Sequence, residues 1–197
     1  MSTLKNFVIV ILAAGQSKRL GHPKQLVVYN GKTLLNRAID SAVGTKIENI
    51  FVVLGAHFEE IRESITNTNV SILKNRHFEE GMSSSIRCGL KEIIEKSPQV
   101  ESVIFLVCDQ PFVNSDLLLN LMSEFKKSGK PIVASQYENI LGTPALFHKS
   151  FFDELLKLEG DVGAGKIIKQ NLDSVASVNF EEGIVDIDTL EDYKFLS

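Results

Sequence analysis

The residues best equipped for chemistry come early in the chain. They run Leu12-Ala13-Ala14-Gly15-Gln16-Ser17-Lys18-Arg19-Leu20-Gly21-His22-Pro23-Lys24, directly behind an apolar stretch, and combine small residues, two glycines and three cations. Gly15 and Gly21 let the backbone approach a ligand closely and present N–H groups to it, while Lys18, Arg19 and Lys24 offset anionic charge. This is the composition of a phosphate-gripping loop, and the competing reading is a solvated basic turn. Five residues separate the glycines and His22 follows the second, so the loop is neither a Walker A motif nor GxGxxG. Gly160-Asp161-Val162-Gly163-Ala164-Gly165-Lys166 comes nearer to Walker A spacing. There Ile167 replaces the hydroxyl residue that would hold Mg²⁺, and the segment before it has helical spacing where a phosphate loop requires a strand.

Two acidic positions complement the loop. Asp109 follows the apolar run Val103 to Val107, which puts it at a strand's carboxyl end, where a metal could be held. Mg²⁺ takes oxygen ligands, one or two carboxylates with phosphate oxygens and water, so a second acid from another strand end suffices; Asp188, with Asp186 behind it, fits. The plainer readings are a turn before Pro111 for Asp109 and helix capping beside Thr189 for Asp188. Gly81 and the serines Ser83, Ser84 and Ser85 precede a helical pattern, so hydroxyls and free first-turn N–H groups could receive a base, ribose or phosphate, or serve only as a cap. His22, His57, His77 and His148 are scattered without metal spacing, Cys88 and Cys108 form no CxxC, and no nucleophile elbow is present. Covalent catalysis is not indicated.

The elements that must position these groups alternate in type. Phe7 to Leu12 is a continuous β-branched run of the kind that fills a central strand covered on both faces, and similar runs recur at Ile50–Leu54, Val70–Leu73, Val103–Val107 and Pro131–Ala134. Between them, Phe58, Ile61 and Ile65, and Ile86, Leu90, Ile93 and Ile94, carry helical spacing. The alternation predicts an α/β fold, a single-domain Rossmann-like three-layer sandwich with a mostly parallel mixed sheet and ligands at the strands' carboxyl ends. Further on, Tyr137–Gly142 reads as a turn, Thr143–Phe147 as a strand, Phe151–Leu158 as a helix and Gly183–Ile187 as a last strand, and Thr189 and Asp192 have capping-box spacing.

Composition narrows the class. At 197 residues the chain suits one domain, and 44% apolar with 23% charged residues is ordinary for a globular protein. A net charge of −4 argues against nonspecific nucleic-acid binding but leaves a small anionic ligand open, since that needs only local cations and amides. The N-terminus lacks a signal-peptide pattern and no apolar run is long enough to span a bilayer, so the expectation is a cytoplasmic protein without a membrane partner.

Taken together, the blocks resemble the MobA-like nucleotidyltransferases, and most closely the molybdenum cofactor cytidylyltransferases among them. The resemblance rests on the Leu12 loop, on Gly81-Met82-Ser83-Ser84-Ser85-Ile86-Arg87-Cys88-Gly89-Leu90, Cys108-Asp109-Gln110-Pro111, Gly142-Thr143-Pro144, Gly160-Asp161-Val162-Gly163-Ala164 and Asp186-Ile187-Asp188-Thr189, in the family's order. It implies transfer of a nucleoside monophosphate, CMP from CTP, to the terminal phosphate of molybdopterin with release of pyrophosphate, assisted by Mg²⁺. By resemblance Leu12, Ala13, Ala14, Gly15, Arg19, Lys24, Gly81 and Ser83–Ser85 bind the nucleotide and Arg19, Lys24 and Asp109 act in catalysis. Asp109, Asp186 and Asp188 hold the metal, and Gly142, Thr143, Pro144, Asp161 and Gly163 bind the acceptor. A molybdenum hydroxylase would then be a partner. Guanylyl-transferring relatives have Gly where this chain has Ala14, whose methyl should crowd a purine. The basic residue that follows Gly-Ala in many relatives is displaced here to Lys166, behind Gly165, which weakens the acceptor assignment of that block. The competing functions are transfer to a sugar or polyol phosphate, and noncatalytic delivery of cofactor to a molybdenum enzyme.

Overall fold

The computed structural model describes Leu4, residues 6–187 and Asp192. Nine strands and six α-helices are described within it: β1 Phe7–Ala13, β2 Val28–Tyr29, β3 Lys32–Thr33, α1 Leu34–Gly44, β4 Asn49–Leu54, α2 Phe58–Glu63, β5 Ser71–Lys74, α3 Met82–Lys96, β6 Ser102–Val107, α4 Ser115–Ser128, β7 Ile132–Tyr137, β8 Ile140–His148, α5 Phe152–Leu156, α6 Gly165–Gln170 and β9 Val175–Asn179. Seven strands form one sheet in the order β5-β4-β1-β6-β8-β7-β9, and β2 and β3 make a separate small hairpin. Every neighbouring pair is parallel except β6–β8 and β7–β8, so β8 alone runs against the rest.

The alternation of β1 builds the layers. Phe7, Ile9, Ile11 and Ala13 face Leu35, Ile39, Ile61, Leu118 and Leu121 of α1, α2 and α4. Val8, Val10 and Leu12 face Ile86, Leu90 and Ile93 of α3, together with α5 and α6. A strand buried on both sides has no polar alternation to show, hence its unbroken apolar sequence. From β1 the chain steps outward through β4 to β5, then returns by way of α3 to place β6 on the other flank of β1. The order therefore reverses between β1 and β6, and a crevice opens at their carboxyl ends.

Helix α3 lies close against the sheet because Gly89 has no side chain: a methyl there would stand 2.9 Å from Val10 Cγ1. Gly89→Ala adds about 1 kcal/mol of helix propensity but overpacks a closed core at about 1–3 kcal/mol. A net loss of about 1 kcal/mol is expected in the denaturant midpoint, and an unchanged or raised midpoint would contradict this packing.

Three expectations need correction. Gly183–Ile187 is not a strand; Glu181–Ile184 is a 3-10 turn, and the last strand is β9, eight residues earlier. β9 sits at the sheet edge beside β7, half exposed and with little apolar content to announce it. Tyr137–Gly142 is likewise not a long turn, because β7 runs to Tyr137 and β8 begins at Ile140, with left-handed Glu138 (φ +51°) making the reversal. Ile94 is 45% exposed and falls off the buried face of α3. Asp188, Thr189 and the remainder of the proposed capping box lie outside the described residues, apart from Asp192. Among the described residues no helix is long and apolar enough to cross a membrane.

Candidate active site

The loop behind β1 is shaped by its own side chains. Ser17 takes the left-handed conformation (φ +52°) and its carbonyl accepts the N–H groups of Leu20 (3.0 Å) and Gly21 (3.2 Å), closing a tight turn. Gly21 follows at φ +77°, where a side chain would be strained. The Ser17 hydroxyl then accepts the Lys24 N–H at 2.9 Å, which fixes the start of the 3-10 turn Lys24–Leu26.

Gln25, on that turn, is fully buried and is one of the residues that sequence reasoning missed. Its amide donates to the carbonyls of Ala13 (2.8 Å) and Gly15 (3.0 Å), and the Ala14 carbonyl accepts the N–H of Ala56 (3.1 Å). Three successive carbonyls are thereby engaged by protein. The N–H groups of Gly15, Gln16, Ser17 and Lys18 have no acceptor among the described residues and are free backbone groups of the loop. The only sequence signal was a polar residue entering the apolar stretch Leu26–Val27.

A cavity of about 560 Å³ opens over the crevice. Residues 12–18 with Lys24 form one wall, residues 78–82 with Ser85 and Asp161 another, and residues 107–109 the floor. Leu12, Ala13, Ala14, Gly15, Lys24, Gly81 and Asp109 are thus brought together on one cavity. Arg19 is exposed, on the turn whose Leu20 is buried, and is not on the cavity wall, whereas Lys18 is.

Lys24 and Asp109 meet at the β6 end of the crevice. Lys24 Nζ is 2.5 Å from Asp109 Oδ2, and the two side chains are only 18% and 17% exposed. Asp109 Oδ1 is buried and has no hydrogen-bond partner among the described residues. A buried carboxylate oxygen left unpaired costs free energy unless something binds it, and an oxygen-seeking cation is the natural occupant. The Ile187 N–H donates to the Asp109 carbonyl at 3.0 Å, which draws the chain around exposed Asp186 to the end of β6. No three His, Cys, Asp or Glu side chains converge among the described residues. The donor set therefore fits a hard cation held by one or two carboxylates and completed by phosphate oxygens and water.

On the far side of Asp109, β8 carries Gly142, Thr143 and Pro144, with a cis bond between the last two. Thr143 Oγ1 lies 3.5 Å from Gln110 Oε1, and the Gln110 amide donates to the Gly183 carbonyl at 3.0 Å. Tyr137 fills the gap between the two glycines. A methyl on Gly142 would meet its Oη at 2.2 Å, and one on Gly183 its Cδ1 at 2.6 Å. Burial pushes the Tyr137 phenol up, and the carboxylates of Asp186 and Asp109 push it further, against a lowering hydrogen bond with Gln110. The phenol therefore stays protonated and able to donate. Neither Tyr137 nor its neighbour Gln110 was singled out from sequence as a site residue.

The three serines prove unequal. Ser83 Oγ donates to the Gly160 carbonyl (2.7 Å) and accepts from Arg87, and Ser84 Oγ donates to the Gly81 carbonyl (2.8 Å). Both are engaged in shaping the start of α3. Ser85 lines the cavity, and its oxygen accepts from the buried amide of Asn75 (3.0 Å), which also donates to Ser84 (2.8 Å). The Gly160 block is fastened to this helix end and not to Gly142. Arg87 donates to the Leu158 carbonyl, Asp161 Oδ1 accepts the Met82 N–H at 3.3 Å, and Gly163 packs against Met82 Sδ. Asp161 and Gly163, expected at the acceptor, therefore stand beside the loop cavity.

The cysteines take no part. Complete burial, reinforced by the Asp109 charge, pushes the Cys108 thiol up to about 12, and burial raises Cys88. Native protein treated with iodoacetamide at pH 8 should keep Cys108 unmodified, because the thiol holds its proton far above that pH, and should alkylate it only after unfolding. Peptide mass spectrometry reads the outcome, and rapid native labelling of Cys108 would contradict its burial.

Known proteins share this architecture. The family model described as MobA-like NTP transferase domain matches residues 9–175. Among curated relatives, the bifunctional protein GlmU of Bifidobacterium adolescentis is 29% identical over 61% of this chain, which spans only 27% of that protein's length. The probable molybdenum cofactor guanylyltransferase of Geobacillus sp. is 24% identical over 76% of this chain and 73% of its own. Among solved structures, the homologue of Mycobacterium tuberculosis Rv0371c from Mycobacterium sp. strain JC1 superposes with a TM-score of 0.83 at 27% identity, covering 98% of this chain and 95% of that one. The M. tuberculosis protein, in its complex with manganese, gives 0.78 at 24% identity over 97% of each chain.

Proposed function

Because this chain belongs to the MobA-like NTP transferase domain family, we propose that it moves CMP from CTP onto the terminal phosphate of molybdopterin. Nucleotidyl transfer is the coarse reading, and the nucleotide and acceptor are its refinements. The observation that carries it is the Lys24–Asp109 pair at the β6 end of the loop cavity, with Asp109 Oδ1 buried and without a hydrogen-bond partner among the described residues.

The chemistry follows from that arrangement. The free N–H groups of the Leu12 loop, with Lys18 and Lys24, receive the triphosphate. An oxygen of the acceptor phosphate attacks the α-phosphorus from the Asp109 side; the new O–P bond forms as the bond to the β-phosphate oxygen breaks, and pyrophosphate departs. Lys24 offsets charge on the triphosphate, and the protein's work is positioning and neutralisation. A divalent ion, Mg²⁺ by preference, would sit on Asp109 with Asp186 or Asp188 and screen the two reacting phosphates from each other. The manganese complex of the Rv0371c protein is in keeping with this. Tyr137, Thr143 and Gln110 would face the acceptor.

Cytosine is favoured by Ala14, 5% exposed, in a tight wall where a methyl on Gly55 would come within 2.7 Å of the Ala14 carbonyl and 2.5 Å of Phe78. Molybdopterin is favoured by the order of the sequence blocks and by the relative named for that cofactor.

The test is pyrophosphate release with each of the four NTPs against molybdopterin, a hexose 1-phosphate and methylerythritol phosphate, in Mg²⁺. Release with CTP and molybdopterin is expected. Release only with a sugar or polyol phosphate would move the acceptor assignment, and none with any pair would favour a cofactor-delivery protein.

A further inference from the structure

The cavity has two chemically distinct ends. At the β6 end stand Lys24 and Asp109; at the other, over β1 and β4, stand Phe78, Met82, Ser85 and Asp161. A triphosphate belongs with the cations and free amides, so its base falls at the α3 end. A carboxylate there would repel phosphate but suits a base that offers N–H groups.

Asp161 is delivered to that place by specific contacts from a segment remote in sequence. Gly81, at φ +95°, packs against it so closely that a methyl would stand 2.5 Å from Asp161 Cα. The Ser83 hydroxyl holds the Gly160 carbonyl, and Asp161 Oδ1 accepts the Met82 N–H at 3.3 Å. One carboxylate oxygen is thereby anchored, and the other, without a donor among the described residues, can act as an acceptor on the cavity wall. Across the same wall Ser85 has its oxygen occupied by Asn75, and its proton has no acceptor among the described residues. The wall thus offers one acceptor and one donor.

We propose that Asp161 selects the base, accepting a hydrogen bond from the exocyclic amine of cytosine, so that this segment belongs to the nucleotide side of the site. Cytosine presents an N–H₂ donor beside a ring-nitrogen acceptor, which matches Asp161 beside Ser85; uracil presents a carbonyl and an N–H in those positions and mismatches both. The inference rests on the nucleotidyltransferase reading and is tested apart from any acceptor.

The experiment is calorimetric binding of nonhydrolysable CTP and UTP analogues, with Mg²⁺, to the full chain and to its Asp161→Asn and Asp161→Ala variants. Asp161→Asn keeps an oxygen for the Met82 N–H and turns the free acceptor into a donor. Wild type should bind the CTP analogue roughly 10- to 100-fold more tightly than the UTP analogue, the range expected of one hydrogen bond to a charged group. Asp161→Asn should bring that ratio to one or below, and Asp161→Ala should weaken CTP while sparing UTP. Equal wild-type binding of both analogues, or a ratio untouched by either variant, overturns the proposal while leaving nucleotide binding intact. Failure of wild type to bind any nucleotide would sink the underlying reading instead, and the proposal with it.

Discussion

Asp109→Asn is expected to lower kcat roughly 10³-fold while leaving the fold intact, a loss of the size seen when one group that stabilises transition-state charge is removed. Asparagine preserves the shape at the end of β6, and the backbone carbonyl that accepts from Ile187 is unchanged. What is lost is the charge opposite Lys24 and one of the two carboxylate oxygens, replaced by an N–H donor that cannot ligate a cation. Steady-state kinetics with thermal melting separates the two aspects. A variant that melts like wild type and turns over within a few-fold of it would remove Asp109 from the mechanism. So would a loss of activity fully accounted for by unfolding.

Gln25→Leu should have the second-largest effect, and on different parameters. Leucine fills similar space but donates nothing, leaving the carbonyls of Ala13 and Gly15 without the amide that holds them at 2.8 and 3.0 Å. Each unsatisfied buried acceptor costs about 1–3 kcal/mol, so a stability loss of about 2–4 kcal/mol is expected by denaturant unfolding. The loop would also lose the tie that keeps its N–H groups in register with Lys24, one residue from Gln25. The NTP KM should rise about tenfold or more, since small misplacements of binding groups are costly. Affinity for metal alone should hold, because Asp109 is untouched. Unchanged stability together with an unchanged KM would show that Gln25 is no strut.

These two residues also mark how far the sequence could be read. Asp109 was legible because an acid behind an apolar β-branched run is at a strand's carboxyl end, and β6 ends at Val107. Gln25 was not, because hydrogen bonds to loop carbonyls leave no spacing pattern, and a polar residue beside Lys24 looks solvated until the loop folds over it. Strands β1, β4, β5, β6 and β7 and the three layers were legible for the same reason as Asp109, a short apolar run marking a strand, whereas the two-residue strands β2 and β3 carry no such run. β9 escaped because an edge strand needs little apolar content, and the Gly183 segment misled because its glycine makes room for the Tyr137 ring.

The serines show the same limit at closer range. Ser83, Ser84 and Ser85 are equivalent as letters, and only the contacts with Gly160, Gly81 and Asn75 separate two structural hydroxyls from one that faces the cavity. Asp161 is assigned to the acceptor site by the resemblance of its block alone, with no support from its own spacing. Its placement beside Met82 depends on a clasp spanning 79 residues, which no local pattern reports. The proposed Asp188 ligand lies outside the described residues, and Asp186 is the acid that the Ile187–Asp109 hydrogen bond draws to the site.

The central claim is attack at the α-phosphorus of a triphosphate held over Asp109 and Lys24, and label tracing tests it most directly. Full-length protein is incubated with Mg²⁺, molybdopterin and CTP labelled at either the α- or the γ-phosphorus, and the products are separated. The α label should pass to the acceptor and the γ label to pyrophosphate, in equal amounts, with both transfers lost in Asp109→Asn. Passage of the γ label to the acceptor, or an equal yield from Asp109→Asn, would contradict it.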